Sequence, residues 1–448
     1  MKHFSLAVTL LCLLVLAAPG WAQDSMSTDL KRTVVECLQY NPMLESIKHE
    51  REAVSNELRA AWGGYLPQLD VAAAWGGQQH NTLVTRLNGT DDEFRNRFEG
   101  SVTVTQLIWD GNGQVDLIRK ERARLQYAEE RLYDSAEALA LDAIIAHLSV
   151  LREQESVALA EANVEQHRTI AGSLQERLDL GAGSLADVTQ ANARLALAES
   201  LLVSQRQALQ NAISNYEKLV GHLPMDLVTP EQQAAPFENV DLAIAAVKEK
   251  SPKIMAKKSE FEQSRQDVGI ATSNFAPLIY LEGKTDYKDK VESDNFYTKT
   301  DTLMVKAQWN LFNGGSDLAA RNAALERKIK MRKELEDLLD SLTNETKSTW
   351  TLLDASQRNV QNYAQAKDFN VQTRDMYLQQ FDVGQRSLLD VLDAENELYT
   401  TSGRLITARF NQIIAVYRLY ALEGGLISSL NLDPTLYEEL TTTEVTEE

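Results

Sequence analysis

Cysteine is scarce in this chain, with two residues among 448, and this scarcity excludes a disulfide framework. Cys12 lies inside an apolar N-terminal run, so Cys37 is the thiol expected in the mature protein. The six histidines include no HExxH pair and no cluster with cysteine or acidic residues at ligand spacing. We therefore expect no metal site and no other cofactor.

Catalytic motifs are missing as well. Gly111-Asn112-Gly113 follows a predicted strand, but no third glycine completes a dinucleotide-binding turn. The segment GAGSL, which contains Ser184, is not a nucleophile elbow, and a serine at a helix start is better explained as a cap. The sequence therefore predicts no enzyme. An enzyme built on a helical scaffold is the alternative that these absences disfavour.

Basic residues are outnumbered, since 45 lysines and arginines face 65 aspartates and glutamates for a formal net charge of -20. An acidic chain without a basic cluster repels phosphate groups, which excludes nucleic acid as a partner. Long apolar runs are also missing. After the N-terminus no segment approaches the ~20 apolar residues that a membrane-spanning helix needs.

Residues 1–22 have the pattern of a secretory signal peptide. Lys2 precedes an apolar run over residues 6–18, and Gly20 and Ala22 are the small residues expected before the cleavage point. The run is too short to span a bilayer. We predict that the mature chain is exported; a short buried core helix is the alternative.

Proline and glycine interrupt the chain at matched positions, which indicates an internal duplication. Two prolines recur at an offset of 210 and two glycines at an offset of 203: Pro42/Pro252, Pro67/Pro277, Gly181/Gly384 and Gly221/Gly424. Chance similarity between helical segments does not explain landmarks that stay in register. We predict a first repeat over 23–236, a second over 237–428, and an acidic C-terminal tail over 429–448.

Two segments alternate between apolar and polar residues with a period of two, as strands with one apolar face do. The positions on that face include Leu69, Val71, Ala73 and Trp75 in the first segment and Leu303, Val305, Ala307 and Trp309 in the second. We predict one β-hairpin over about 68–110 and another over about 278–312, which gives four strands in the chain.

The remaining sequence predicts very long helices. From about 114 to 179 there is no proline and Gly172 is the only glycine, and apolar residues follow the 4-3 spacing of a coiled coil. At 1.5 Å per residue this helix is ~100 Å long. We predict long helices over about 114–179 and 315–382. Each is followed, after a glycine-containing turn, by a return helix over about 185–220 or 388–423.

Four amphipathic strands at the far end of a coiled coil have no core that could bury their apolar faces. In an exported protein, strands of roughly ten residues fit the transmembrane β-strand. Lipid permits only a closed barrel, and four strands are too few to close one. Several chains must therefore share a barrel, of eight strands in a dimer or twelve in a trimer. A soluble β-domain that caps the coiled coil is the alternative.

Several stretches resemble the TolC family of outer-membrane efflux and secretion channels. They begin with YNPMLESIKHE at Tyr40 and VTQLIWDGNGQVDL at Val104, and continue with the twin motifs LGAGSLADV and VGQRSLLDVLDAENEL. The resemblance covers about residues 28–428. The segment over residues 142–170 further resembles members that serve type I secretion of large proteins.

This resemblance implies an α+β membrane protein with long antiparallel coiled-coil helices. It implies a homotrimer whose twelve-stranded β-barrel lies in outer-membrane lipid, while an α-barrel lies in the periplasm and ends in a tip that is normally closed. In that family the tip docks a periplasmic adaptor protein and an inner-membrane transporter. The expected function is a passive exit duct; a periplasmic coiled-coil scaffold or adaptor without a pore is the alternative.

The twin motifs predict helix starts at the tip. Ser184 and Ser387 are the expected helix caps, with Asp187 and Asp390 three residues further on, at the spacing of a capping box. Gly181 and Gly384 suit the left-handed position that follows a helix end. The resemblance also places the adaptor-docking surface here, on the backbone of Gly181, Gly183, Gly384 and Gln385.

The resemblance assigns gate and latch roles to Asp187, Arg386, Asp390 and Asp393. Asp390 and Asp393 share a helix face because they are three residues apart, so several copies could ring a constriction with carboxylates. Arg386 is an expected partner of Asp187, within one chain or across a subunit boundary. A solvated, charged tip without a gate is the alternative.

The family pattern is incomplete at this tip. Phe381 stands where some relatives have a latch tyrosine, and Ala186 where they have threonine. Two hydrogen-bonding groups are thereby lost, so we expect the gate to be held differently. These residues do not separate drug or metal-ion efflux from protein secretion.

Overall fold

The computed structural model of the protein describes residues 29–91, 93–230, 233–291 and 296–432. The predicted signal peptide and most of the predicted acidic tail lie outside these residues. The described elements are α1 Leu30–Tyr40, α2 Pro42–Gly63, β1 Gln68–Gln79, α3 Leu83–Asn88, β2 Phe94–Trp109, α4 Gly113–Asp179, α5 Leu185–Val220, α6 Val240–Lys250, α7 Pro252–Ser273, β3 Leu278–Asp289, β4 Tyr297–Gln308, α8 Ser316–Asp382, α9 Leu388–Glu423 and α10 Leu426–Ser429.

The helices of the two halves of the chain match in length. The first and second halves each contain helices of 11, 22, 67 and 36 residues. The bounds of the two long helices and their return helices differ by at most one residue from the ranges expected from the sequence. Glycine therefore marks the ends of these four helices correctly, because it permits a left-handed stop.

The helices are arranged as antiparallel pairs. α4 packs along α5, α7, α2 and α9, and α8 packs along α9 and α7. The first helix pair, α4 with α5, and the second helix pair, α8 with α9, run to one end of the molecule. The four strands lie at the opposite end, because each long helix begins directly after a hairpin.

The main apolar core lies around the middle of α4. Ala136, Ala140 and Ala143 are fully buried there and belong to one cluster with residues of α1, α5, α9 and α10. Small alanine side chains allow neighbouring helices to approach closely. This core fastens the N-terminal helix and the end of the second repeat onto a helix of the first repeat.

Two buried polar side chains of α4 complete this core. The Glu137 carboxylate accepts hydrogen bonds from the backbone N–H groups of Leu426 at 2.8 Å and Ile427 at 3.1 Å. Burial raises the pKa of this carboxyl to about 7, although both hydrogen bonds act to lower it. His147 lies 2.8 Å from Thr33 Oγ1 through Nδ1 and 2.9 Å from the carbonyl oxygen of Val228 through Nε2. Glu137 thereby holds the start of α10 against α4, and His147 holds α1 and the segment after α5 against it.

The strands form one antiparallel sheet in the order β1-β2-β3-β4. Val71 pairs with Val102, and Val102 pairs in turn with Thr285, so the two hairpins are joined through β2 and β3. A bulge between Leu107 and Trp109 shifts the register near the end of β2. In the described sheet β1 and β4 are the edge strands, each paired on one side only.

The connection between β1 and β2 contains the short helix α3. Thr82 and Thr85 form a capping box at its start. Gly89 ends it in the left-handed region at φ 69. Local capping residues therefore organise this connection, and the apolar and polar alternation of the strands gives no sign of them.

Candidate functional site

The sheet leaves a band of large apolar side chains uncovered. Val71 is 72% exposed and Trp75 77% exposed on β1, and Leu303 is 74% exposed on β4. Cross-strand pairs such as Leu281 with Val305 continue this face across the sheet. An apolar surface of this kind on two edge strands is suited to lipid rather than to water.

The opposite face of the sheet carries charges that pair with each other. Lys306 lies 2.5 Å from Glu282, and Lys284 lies 2.9 Å from Asp286. The register places these residues opposite the apolar face, since neighbouring positions along a strand alternate. One face of the sheet is therefore mainly apolar, apart from the ion pair between Lys299 and Asp301, and the other face is polar and charged, as the wall of a water-filled barrel is. Within the described part of the chain, no helix combines the length and the apolar character that crossing a bilayer requires.

At the other end of the molecule, the turns between α4 and α5 and between α8 and α9 form the tip. Gly181 has φ 77 and Gly384 has φ 74, the left-handed conformation that glycine adopts without strain. In each turn two backbone hydrogen bonds close back onto the preceding helix: Gly181 N to Leu178 O, Ala182 N to Arg177 O, Gly384 N to Phe381 O and Gln385 N to Gln380 O. This is the Schellman pattern, so the twin motif encodes the same helix stop twice.

The helix starts that follow are not equivalent. Ser387 Oγ accepts a hydrogen bond from Asp390 N at 3.2 Å, and Asp390 Oδ2 accepts one from Ser387 N at 3.3 Å, which makes a full capping box. Ser184 Oγ accepts only from Ala186 N, at 3.2 Å, and Asp187 takes no part in a box. The start of α9 is therefore capped more completely than the start of α5.

Among the described residues of one protomer, Arg386 contacts only residues of α8 and α9. Its Cζ lies 4.2 Å from the centroid of the Tyr377 ring, and its Nε donates to Gln380 Oε1 at 3.0 Å. One of its terminal nitrogens lies 3.8 Å from Asp390 Oδ2. The side chain of Asp187 has no hydrogen bond or ion pair among the residues that the structure describes. The expected pairing of Arg386 with Asp187 is thus not made inside one chain.

Other arginines connect the two helix pairs. Arg177, in the last turn of α4, forms an ion pair of 2.7 Å with Asp382, and its Cζ lies 5.1 Å from the centroid of the Phe381 ring. Arg194 of α5 lies 3.6 Å from Asp393. Neither arginine was identifiable as a site residue from the sequence. Both repeats contain many acidic and basic residues, and the sequence does not show which of them form ion pairs.

An apolar cluster just above the tip unites the four helices of both pairs. Its buried members lie on α4, α5 and α9 and are Ile170, Ala171, Leu174, Val188, Ala191, Leu388, Val391 and Leu392; the partly buried Tyr377, Leu378 and Phe381 of α8 pack against them. Beside it Glu395, 4% exposed, lies 3.1 Å from Arg374, and burial raises the pKa of Glu395 although Arg374 opposes this shift. The candidate gate residues Asp390 and Asp393 therefore stand on a packed base that all four helices share.

The comparison with known proteins decides the family. The family described as "Outer membrane efflux protein" matches residues 33–222 and 243–425, one match in each repeat and together most of the chain. The chain belongs to the outer membrane efflux protein family. The resemblance to TolC-family channels is thereby confirmed, together with an outer-membrane location and a periplasmic helical domain.

Relatives from several bacteria align over most of the chain. Outer membrane efflux protein BepC of Brucella suis is 23% identical over 406 residues, covering 90% of this chain and 87% of its own length. Alkaline protease secretion protein AprF of Pseudomonas aeruginosa is 24% identical over 406 residues, covering 87% and 83%. The crystal structure of the Campylobacter jejuni CmeC outer membrane channel shares the fold, with a TM-score of 0.82 at 15% identity over 95% of this chain and 92% of that one.

Proposed function

We propose that the protein is a homotrimeric exit duct in which each chain contributes four strands to one twelve-stranded barrel. The observation that carries this proposal is the four-stranded sheet. Its two edge strands, β1 and β4, are each paired on one side only, and both have exposed apolar side chains. In lipid, unpaired backbone groups on an edge are prohibitively unfavourable. Pairing of β1 with β4 of the neighbouring chain would satisfy both edges at once and close the wall.

The duct is a passive conduit that is opened by partner proteins and powered elsewhere. Its proposed partners are a periplasmic adaptor protein and an inner-membrane transporter, which dock at the tip. Gly181, Gly183, Gly384 and Gln385 form the docking surface, and in both turns the backbone is already arranged by the same two hydrogen bonds. No catalytic step is part of this function.

The gate lies at the same tip and is formed by Asp187, Arg386, Asp390 and Asp393. Three copies of Asp390 and Asp393 bring six carboxylates to one constriction, where they attract cations and repel each other. Because Asp187 has no partner among the described residues of its own chain, its proposed partner is Arg386 of the neighbouring chain. A tip held by contacts between chains fits an aperture that opens when the chains separate.

The proposed cargo is either a small molecule expelled by efflux or a protein secreted by a type I system. AprF is described as a protein of alkaline protease secretion and BepC as an efflux protein, so the relatives include both classes. The segment over residues 142–170 favours the secretion members. Deletion of the gene, followed by comparison of drug sensitivity and of secreted proteins, identifies the class.

Two measurements on the purified protein test the duct. We expect a detergent-dependent species of three chains by light scattering, together with single-channel currents after reconstitution into planar lipid bilayers. A chain that is monomeric and soluble without detergent, and that gives no currents, would instead be the periplasmic scaffold or adaptor named as the alternative.

A further inference from the structure

We infer that Arg177 is the latch that holds the first helix pair to the second at the tip of each protomer, and that breaking its contacts is a step in opening. The inference rests on the proposed function, since it assigns a positioning role within the same gate. It concerns a contact inside one chain, whereas the pairing of Arg386 with Asp187 is proposed between chains.

Arg177 makes an ion pair and a stacking contact with described residues, and both contacts cross from α4 to α8. Its guanidinium pairs with the Asp382 carboxylate at 2.7 Å and lies over the Phe381 ring at 5.1 Å. Asp382 is the last residue of α8, and Arg177 lies in the last turn of α4. One side chain therefore ties together the ends of the two long helices, directly beside both turns.

The neighbouring arginines do not duplicate this role. Arg168 pairs with Glu165 and Glu199, which both belong to the first helix pair. Arg374 pairs with Asp375 and Glu395, which both belong to the second. Each of these arginines stabilises one pair internally and leaves the junction between the pairs to other side chains.

Among the described residues near the tip, one further ion pair crosses the junction. Arg194 reaches Asp393 across 3.6 Å, a longer separation than that between Arg177 and Asp382. Asp393, the partner of Arg194, also belongs to the proposed ring of carboxylates at the gate. This ion pair therefore depends on whether the ring is assembled. Arg177 binds an acid outside the ring and is the contact devoted to the junction.

The neighbouring residue Phe381 explains why an arginine can hold the two helix pairs together here. A phenylalanine at this position has no hydroxyl to donate, but its ring face attracts a guanidinium. The ring and the adjacent carboxylate of Asp382 together offer Arg177 a flat apolar surface and an acid on consecutive residues. The loss of the tyrosine found in some relatives is thus offset by a different contact at the same place.

Loss of the Arg177 contact in one chain is expected to shift the equilibrium between closed and open tip modestly. Its loss in all three chains is expected to shift that equilibrium strongly. The Arg177 side chain is 37% exposed and that of Asp382 68%, and an exposed ion pair shifts an equilibrium by about two- to fivefold. If three equivalent latches must open together, the factors multiply to about ten- to a hundredfold. The contact is also screened by salt.

Recordings from the reconstituted trimer in planar bilayers test the latch. We expect Arg177→Gln to raise the open probability by about ten- to a hundredfold and to weaken its dependence on salt. The exchange Arg177→Asp with Asp382→Arg is expected to restore part of the closed state, because it rebuilds the ion pair but not the stacking on Phe381. Phe381→Leu is expected to give an intermediate increase.

Arg168→Gln is the matched control, since Arg168 lies on the same helix and pairs only within the first helix pair. It is expected to leave the open probability unchanged. Currents from the wild type together with an unaltered Arg177→Gln variant, trimeric by light scattering, overturn the latch and leave the duct standing. A wild type without currents overturns the duct, and the latch with it.

Discussion

The guanidinium of Arg386 stacks on the ring of Tyr377, with 4.2 Å between Cζ and the ring centroid. Tyr377 lies in α8 and Arg386 in the turn between α8 and α9, and a hydrogen bond of 3.0 Å to Gln380 also holds the arginine there. The turn that contains Arg386 is therefore held in place by contacts within its own chain and needs no neighbouring chain for this. Its remaining donors are available to an acid on another chain, and Asp187 is an acid at the tip that has no partner among the described residues.

Disulfide trapping tests this contact between chains. We expect Asp187→Cys with Arg386→Cys to give covalent dimers and trimers on non-reducing gels after mild oxidation. Cys37 does not compete, because it is buried and burial raises the pKa of its thiol to about 12. Glu165→Cys with Arg386→Cys is the control, since Glu165 lies several turns above the tip. Cross-links confined to monomers would contradict the arrangement.

Block by multivalent cations tests the acidic ring. We expect Asp390→Ala with Asp393→Ala to reduce the block of single-channel currents by a trivalent cation, because the carboxylates that attract it are gone. Arg194→Gln is expected to act in the opposite direction, since it frees Asp393 from its partner at 3.6 Å. Unchanged block in the double variant refutes the ring.

The two helix caps are expected to differ in strength. Ser387→Ala removes a full capping box, whereas Ser184→Ala removes a single bond to Ala186 N. We expect a loss of about 1–2 kcal/mol in local stability for the first variant and about 0.5–1 kcal/mol for the second. Hydrogen exchange of the first turns of α5 and α9 measures both, and equal losses would show that the box adds nothing.

Stability is expected to depend on pH through Glu137. Burial raises the pKa of this carboxyl from 4.5 to about 7, so the folded state prefers the protonated form. Its contribution is fully present below pH 4.5 and is lost as the pH rises through 7, by about 3 kcal/mol.

Glu137→Gln separates this ionisation from the hydrogen bonds. The amide keeps one acceptor for the two backbone N–H groups, so we expect a loss of about 1–3 kcal/mol at pH 5. At pH 8 we expect the variant to match or exceed the wild type, because it has no charge to bury. Thermal unfolding of the detergent-solubilised protein at both pH values checks this, with the exposed Asp340→Asn as control. Parallel pH profiles contradict the assignment.

The elements of the fold were predictable because the chain marks them locally. Glycines such as Gly181 and Gly384 end helices by their left-handed backbone, and a period of two along β1 shows a face that must meet lipid. Contacts between elements were not predictable in the same way. Arg177 and Asp382 meet across 205 positions of sequence, and Glu137 bonds to backbone groups, which carry no side-chain signature at all.

The equally long helices α4 and α8 fix the distance between the barrel and the tip. At 1.5 Å per residue, 67 residues separate the barrel from the tip by ~100 Å. A gap between two membranes that exceeds this span must be bridged from the inner side. The shorter helices pack along the long ones. The length of the molecule can therefore change only by matched insertions in the packed helices of both halves. Insertions of whole helical turns are favoured, because they keep the same residues in contact.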